Sequence, residues 1–272
     1  MKIIDAHLHI FPDGGAAPAA CQTENISALR RFWEPLEIIH GVVMGNRSLA
    51  PEYHNYPADL LHYCVGLDSR ILADSADAPP DLAGQVESHL RRELCCGVKL
   101  YPGYNRVSLS APLYQPIYEL AQFYQKPVAV HMGLTVFPKA HLKYCHPLAL
   151  DEAAADHPGV HFVMCHFGNP FLESAAAVLV KNPNVSADLS GLLEDPADLE
   201  IWFREQAGYA SLLRTWLAAA GCWDRLLYGS DWPIIAPEKY VSFIQRLVPP
   251  EHWDAVFFEN AVRVYGLRGL PL

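Results

Sequence analysis

The sequence predicts an α/β fold in which eight parallel strands and their helices close into one (β/α)8 TIM barrel over residues 1–272. Three observations predict it. Short apolar runs of strand length alternate with amphipathic stretches of helical period along the chain. The strand candidates number eight, whereas an open doubly wound sheet more often stops at roughly five to seven. Ionisable residues end several of these runs, at the rim where a barrel of this kind carries its active site. With 272 residues, 51% hydrophobic and 18% charged, the chain has the length and apolar content of one such domain with a large core.

The elements follow in order. Ile3 and Ile4 open a buried strand that runs into His7 and His9. EIIHGVVMG (37–45) and LLHYCVGL (60–67) read as the second and third strands, with loops at 11–20 and 47–57. In DLAGQVESHLRREL, Leu82, Val86 and Leu90 recur at helical spacing. CCGVKLYP (95–102) is strand-like, and PLYQPIYELAQFYQ places Leu113, Ile117, Leu120 and Tyr124 on one helical stripe, with Pro112 and Pro116 in its early turns. PVAVHMG (127–133), VHFVMCHFG (160–168) and NVSADLSG (184–191) read as strands, separated by helices at 148–157 and 171–181. A mostly helical stretch at 198–220 leads to RLLYGSDWP (225–233), read as the last strand, and helices at 237–247 and 251–267 close the chain.

A net charge of −10 argues against nucleic acid as a partner. No run is long and apolar enough to span a membrane, and Asp5, His7 and His9 interrupt what a secretory signal would need, so a cytoplasmic protein acting on a small molecule is expected, its homo-oligomeric state left open. The seven cysteines include no CxxC pair and sit within or beside apolar segments, as reduced core thiols do. Cys95 and Cys96 are read as strand packing, facing opposite ways.

In a strand, alternate side chains share a face, so His7 and His9 point together. Alone they are either a satisfied polar pair or half a metal site. Their company decides between the two. Lys99 lies in the fourth strand, His131 ends the fifth, His166 the sixth and Asp231 the eighth. Crowding imidazoles and a carboxylate into one barrel mouth without a cation would leave buried polar groups poorly partnered. Imidazole nitrogen and carboxylate oxygen without thiolate suit a divalent metal, zinc first, with manganese, iron or nickel as alternatives. Zinc lowers the pKa of a bound water to about 7. Asp231 can both ligate and accept the water proton, and His166 can serve as a ligand to a second metal, a base or a hydrogen-bond donor.

DAHLHI, GVKLYPGY, VAVHMG, FVMCHFGNP, NVSADLSG and YGSDWP together resemble the amidohydrolase superfamily, in its amidohydrolase 2 branch of metal-dependent TIM-barrel hydrolases. FFENAVRVYGL, with Asn260, Ala261 and Arg263, resembles the closing helix of that branch, and the resemblance covers nearly the whole chain. It implies a metal held by His7, His9, His131 and Asp231, with His166 beside the metal-bound water. Lys99 matches the position of the carboxylated lysine that bridges two metals elsewhere in the superfamily; here it is either that bridge or a free ammonium for an anionic substrate, and one metal is the preferred reading. The implied activity is hydrolysis of a small amide, ester or lactone, with Asp231, His166 and Lys99 as catalytic residues. The alternative is a metal-dependent, non-oxidative decarboxylase of a small aromatic or unsaturated acid, since the branch contains both.

Residues in loops after the strands are candidates for selecting the substrate. Tyr101, Tyr104 and Trp232 can clasp a flat ring, and Arg47 or Arg106 can clamp a carboxylate, which suggests a small cyclic or aromatic acid. His141, His146, His157 and His161 are read as structural. Asp5 is expected on the same face as His7, deeper in the barrel, in a supporting role.

Overall fold

The computed structural model describes residues 1–10, 26–46, 48–68, 72, 74, 78–194 and 196–270. Eight strands form one sheet in the order of the chain, every neighbouring pair parallel: β1 (Ile3–Leu8), β2 (Ile38–Met44), β3 (Leu61–Leu67), β4 (Cys95–Leu100), β5 (Val128–Val130), β6 (Phe162–Met164), β7 (Val185–Asp188) and β8 (Leu226–Leu227). The sheet closes on itself where Ala6 N donates to Tyr228 O, Asp231 N to His7 O and His9 N to Trp232 O, with a parallel bridge between Leu8 and Trp232. Among the described residues no helix is long and apolar enough to cross a membrane.

The connections carry α1 (Ile26–Trp33), α2 (Leu82–Leu90), α3 (Pro102–Asn105), α4 (Gln115–Phe123), α5 (Leu142–Cys145), α6 (Pro147–Asp156), α7 (Leu172–Lys181), α8 (Leu199–Glu205) and α9 (Ala207–Ala220), followed after β8 by α10 (Pro237–Leu247) and α11 (Asn260–Tyr265). Capping accounts for several of their starts. Asp81 accepts from Gly84 N ahead of α2, Asp198 from Ile201 N ahead of α8, and Pro237 occupies the first turn of α10. Between β2 and β3 the described chain makes only a 3-10 turn, Pro51–His54.

Two apolar layers follow from strand alternation. Ile3, Val43, Val65, Val98, Val130, Phe162, Ala187 and Leu226 face the helices. Ile4, Ala6, Val42, Met44, Cys64, Cys96, Ala129, Val163, Cys165 and Leu227 fill the barrel, joined by Ala261, Val264 and Tyr265 of α11, which plug the end opposite the histidines. Cys95 falls in the outer layer and Cys96 in the inner, so the vicinal pair does face opposite ways. Every cysteine among the described residues is a free thiol, and Cys21 lies outside them.

Two features depart from what the sequence predicts. In β1 the pairing register shifts between Asp5 and Leu8; Ile4 and Ala6 point inward, yet Leu8 points outward, so the alternation changes phase before His7. Asp5 therefore does not share the face of His7. The final strand is also far shorter than 225–233: it spans only Leu226–Leu227, beyond which Tyr228 and Trp232 still bond to β1 singly, and the chain turns at Asp231, whose φ of 61° no strand residue adopts.

Candidate metal centre

The inner face of the barrel changes character toward the C-terminal ends of the strands. Below are aliphatic side chains and thiols; above are Lys99, His131, His166, Asp188 and Asp231, with His7 and His9 from β1. Lys99, His7 and Asp188 are fully buried. Burial makes each of these groups costly unless it is paired, so their partners define the site.

His7 is held from behind. Its Nδ1 lies 2.8 Å from Asp188 Oδ2, which fixes the Nε2 lone pair toward Asp231 Oδ1 at 3.4 Å. His9 Nδ1 donates to Met44 O at 2.9 Å, and its Nε2 faces the same Asp231 oxygen at 3.2 Å. His7 Nε2 and Asp231 Oδ1 are buried and have no hydrogen-bond partner. His7, His9 and Asp231 each offer a ligand atom within 4.8 Å of the others. Two imidazole nitrogens and a carboxylate oxygen converging on one point, with two of them orphaned, fit a divalent cation.

His166 and Asp231 owe their aim to the backbone. Both adopt positive φ, 60° and 61°, a conformation that Asp and His enter more readily than most residues. Gly191, itself at φ 61°, lies so close that a Cβ there would sit 2.9 Å from His166 Nδ1 and 3.0 Å from Asp231 Oδ2. Asp188 Oδ1 accepts from His166 N at 2.9 Å and from Ser190 Oγ at 2.5 Å, and Ser190 Oγ also lies 2.9 Å from His166 Nδ1.

His131 is oriented toward His166 rather than toward the other three. Its Nε2 faces Leu134 O at 3.0 Å, and its Nδ1 lies 3.1 Å from His166 Nε2. His166 Nδ1 faces Ser190 O at 3.2 Å. Carbonyl oxygens at both ends require an N–H from each ring, which leaves two bare lone pairs facing each other in the middle. A shared proton or a cation resolves that contact.

Burial drives the titration of the site. It lowers His7 to about 4, against the opposing pull of Asp188, and pushes His131 well below its ordinary range and His166 below it too. Burial opposes ionisation of Asp231, but His9, His166 and His7 outweigh it and hold the carboxyl below the usual carboxylate range. Asp188 is held low in the same way, its burial outweighed by His7 and His166. Neutral imidazoles beside ionised carboxylates are the protonation states that a metal requires of its ligands.

Lys99 Nζ contacts Cys165 Sγ at 2.7 Å and lies 5.1 Å from the centre of the Tyr101 ring. Tyr101 is buried and donates to Gly45 O, while Tyr104 packs edge-on against His131 at 5.0 Å and against the exposed Phe137 at 5.5 Å. Trp232 is buried in the outer layer, 5.8 Å from Phe32. Arg106 lies on the surface, 3.8 Å from Asp74, and Arg47 lies outside the described residues. His146 accepts from Leu148 N at the start of α6, His157 packs on Tyr118, and His161 pairs with Ser186. Asp5 accepts two hydrogen bonds from Ser230, on the strand-end segment that carries Asp231.

Asp188, Ser190 and Cys165 were not singled out by the sequence reading. Asp188 had a usable signal, since it ends β7 as Asp231 follows β8, but a single carboxylate there gives no sign that it faces a histidine 181 residues away.

The geometry agrees with the comparisons. The Amidohydro_2 family model, described as amidohydrolase, matches residues 4–267. Among solved structures, an amidohydrolase from Burkholderia multivorans with bound zinc superposes at a TM-score of 0.71 and 19% identity, covering 100% of both chains. A probable 2-pyrone-4,6-dicarboxylic acid hydrolase from Acinetobacter baumannii gives 0.65 and 16%, covering 98% of this chain and 100% of that one. A 2,6-dihydroxybenzoate decarboxylase gives 0.67 and 14%, covering 99% and 100%. No curated protein matches the chain. With its family matched from the first strand to the last helix and its charged residues gathered at the mouth of an eight-stranded barrel, this chain belongs to the amidohydrolase 2 family of enzymes.

Proposed function

We propose that the protein is a metal-dependent hydrolase of a small lactone, ester or amide, with one divalent cation, zinc first, held by His7, His9 and Asp231. One observation carries the reading: the buried lone pairs of His7 Nε2 and Asp231 Oδ1 converge with His9 Nε2 and find no partner in the protein. The donor set suits zinc, and the similar Burkholderia protein carries zinc. When bound, such a cation supplies Lewis-acid polarisation and a more acidic water.

The chain's own residues do the rest. Asp188 fixes the tautomer of His7 by accepting a hydrogen bond from its Nδ1–H, so that Nε2 keeps its lone pair for a cation. Asp231 carries its charge at neutral pH and accepts a proton from the attacking water. His166, its ring fixed by Ser190 through Nδ1–H, presents a bare Nε2 that takes up the proton Asp231 received and hands it to the leaving group. Tyr104 and Phe137 form an aromatic wall beside His131 that suits a flat or cyclic substrate. His131 supports His166 in this reading.

Non-oxidative decarboxylation of a small aromatic or unsaturated acid is the second reading. It is favoured by the likeness to the dihydroxybenzoate decarboxylase and by the same His166, whose Nε2 would relay a proton from water to carbon. A metal-replete screen of lactones, amides and aromatic carboxylates, with titration of released acid and detection of carbon dioxide, separates the two. Acid release without carbon dioxide is the expected result; carbon dioxide release would replace the hydrolase by the lyase.

A further inference from the structure

The contact between Lys99 and Cys165 is left unused by this reading. Nζ and Sγ lie 2.7 Å apart, and both side chains are fully buried. An N–H···O hydrogen bond spans about 2.9–3.0 Å, and sulfur is larger than oxygen, so an ordinary amine–thiol hydrogen bond is longer still. The buried thiols Cys95 and Cys96 approach carbonyl oxygens at 3.4 and 3.5 Å. Arg225 approaches Cys222 at 2.9 Å, but it does so at a partly buried site and through a delocalised guanidinium that is a poor nucleophile. Among the described residues Lys99 has no carboxylate within ion-pair distance; its direct contacts are the thiol and the Tyr101 ring, while Asp188, His7 and His131 interact with its charge from farther off. The separation is too short for a comfortable hydrogen bond and too long for a direct bond, yet two single bonds meeting at one oxygen span it.

We propose that Lys99 and Cys165 form a reversible oxidative cross-link, Nζ–O–Sγ, when the protein meets peroxide. A first peroxide oxidises the thiol: its O–O bond breaks, an S–O bond forms, and Cys165 becomes a sulfenic acid with release of one water. A second peroxide takes two more electrons; the N–O bond forms, the amine and the sulfenic hydroxyl each lose a hydrogen, and two waters leave. The amine and thiol together are oxidised by four electrons, and each peroxide is reduced by two. The barrel mouth, where His9 is partly exposed, is the side from which peroxide would approach. Proximity favours the closed product, because the sulfenic acid finds an amine at contact distance. Two equivalents of a dithiol reductant restore amine and thiol, with loss of the bridging oxygen as water. The link ties Lys99 down beside the metal centre, so the site responds to oxidant without exposing a cysteine.

The test is high-resolution mass spectrometry of the purified full-length protein, before and after hydrogen peroxide and again after dithiothreitol. The link adds one oxygen and removes two hydrogens, a gain of about 14 Da. It also blocks trypsin at Lys99, so residues 93–106 stay intact and joined to the peptide 144–181 that holds Cys165. The expected result is that gain, mapped by fragmentation to Lys99 and Cys165 and reversed by dithiothreitol. Three results would each overturn the proposal: a gain of about 16 or 32 Da on Cys165 with normal cleavage at Lys99, a loss of about 2 Da from a direct S–N bond, or an unmodified Cys165. Because wild-type protein gives the answer, no variant has to fold.

Discussion

Asp188 Oδ2 holds His7 Nδ1 at 2.8 Å, and both side chains are completely buried. The carboxylate does two things at once: it keeps the proton on the nitrogen that faces away from the mouth, and it raises the donor strength of the nitrogen that faces Asp231. Replacing Asp188 by Asn keeps the volume but removes the charge and allows the amide to offer an N–H where an acceptor is needed. We expect Asp188→Asn to weaken metal binding by about 10–100-fold while the far-ultraviolet circular dichroism stays unchanged. Competition with a chromophoric chelator measures the affinity, and a wild-type value would show that Asp188 does not set the tautomer of His7.

Removal of the metal should cost stability as well as activity. Without a cation, His7 Nε2 and Asp231 Oδ1 stay buried without partners, and an unsatisfied buried polar group costs about 1–3 kcal/mol, more when charged. A ligand that binds only the folded state raises the melting temperature by mass action. Exhaustive chelation is therefore expected to lower Tm by several degrees and to abolish turnover, with one equivalent of zinc per chain restoring both. Two tightly held equivalents would instead place a second cation between His131 and His166.

Much of this centre could be read from the chain because strand alternation carries information over short spans. Placing His7 and His9 on one face needs only the period of a strand, and the eight runs point to a rim that gathers His131, His166 and Asp231. What could not be read depends on contacts between distant strands or on irregular backbone. The shift in β1 that puts Asp5 and His7 out of phase leaves no mark in DAHLHI. The orientation of His131 toward His166 is set by the carbonyls of Leu134 and Ser190, which no side-chain pattern reveals. Trp232 and Arg106 were expected to face a substrate because they follow strand ends. Trp232 instead packs on Phe32, and Arg106 pairs with Asp74. Adjacency in sequence says that a residue is near the rim, not which way it turns.

Gly191 is the most constrained small residue of the site. Its positive φ alone would cost a side chain about 1–2 kcal/mol, and a Cβ would press on His166 and Asp231 together. Gly191→Ala is therefore expected to lower kcat at least tenfold. Gly208→Ala is the matched control: it lies in α9 with nothing within 4 Å of its added Cβ, and it should stabilise the protein by up to about 1 kcal/mol through helix propensity. Equal activity of the two variants would remove the claim that Gly191 spaces the catalytic pair.

Acid should unfold the protein through histidines remote from the metal centre. His40 is fully buried with its Nε2 2.7 Å from His62 Nδ1, and His54 is buried against the Tyr63 ring with its Nε2 on Ser48 O. Burial lowers both to about 4, and His161 likewise. An unfolded imidazole titrates near 6.5, so between about pH 6.5 and 4 the unfolded chain binds more protons than the folded one, and stability falls as pH falls through that window. Asp5 works in the opposite sense: burial raises it to about 7, so it stabilises the folded state at low pH and loses that contribution as pH rises. One carboxyl does not offset three imidazoles, each contributing up to about 3 kcal/mol. Urea midpoints at pH 7, 5.5 and 4.5, measured on chelated protein so that metal release does not intrude, should decline steadily, and His40→Asn should flatten the slope. A midpoint that is constant over this range would show that these buried imidazoles are protonated in the fold.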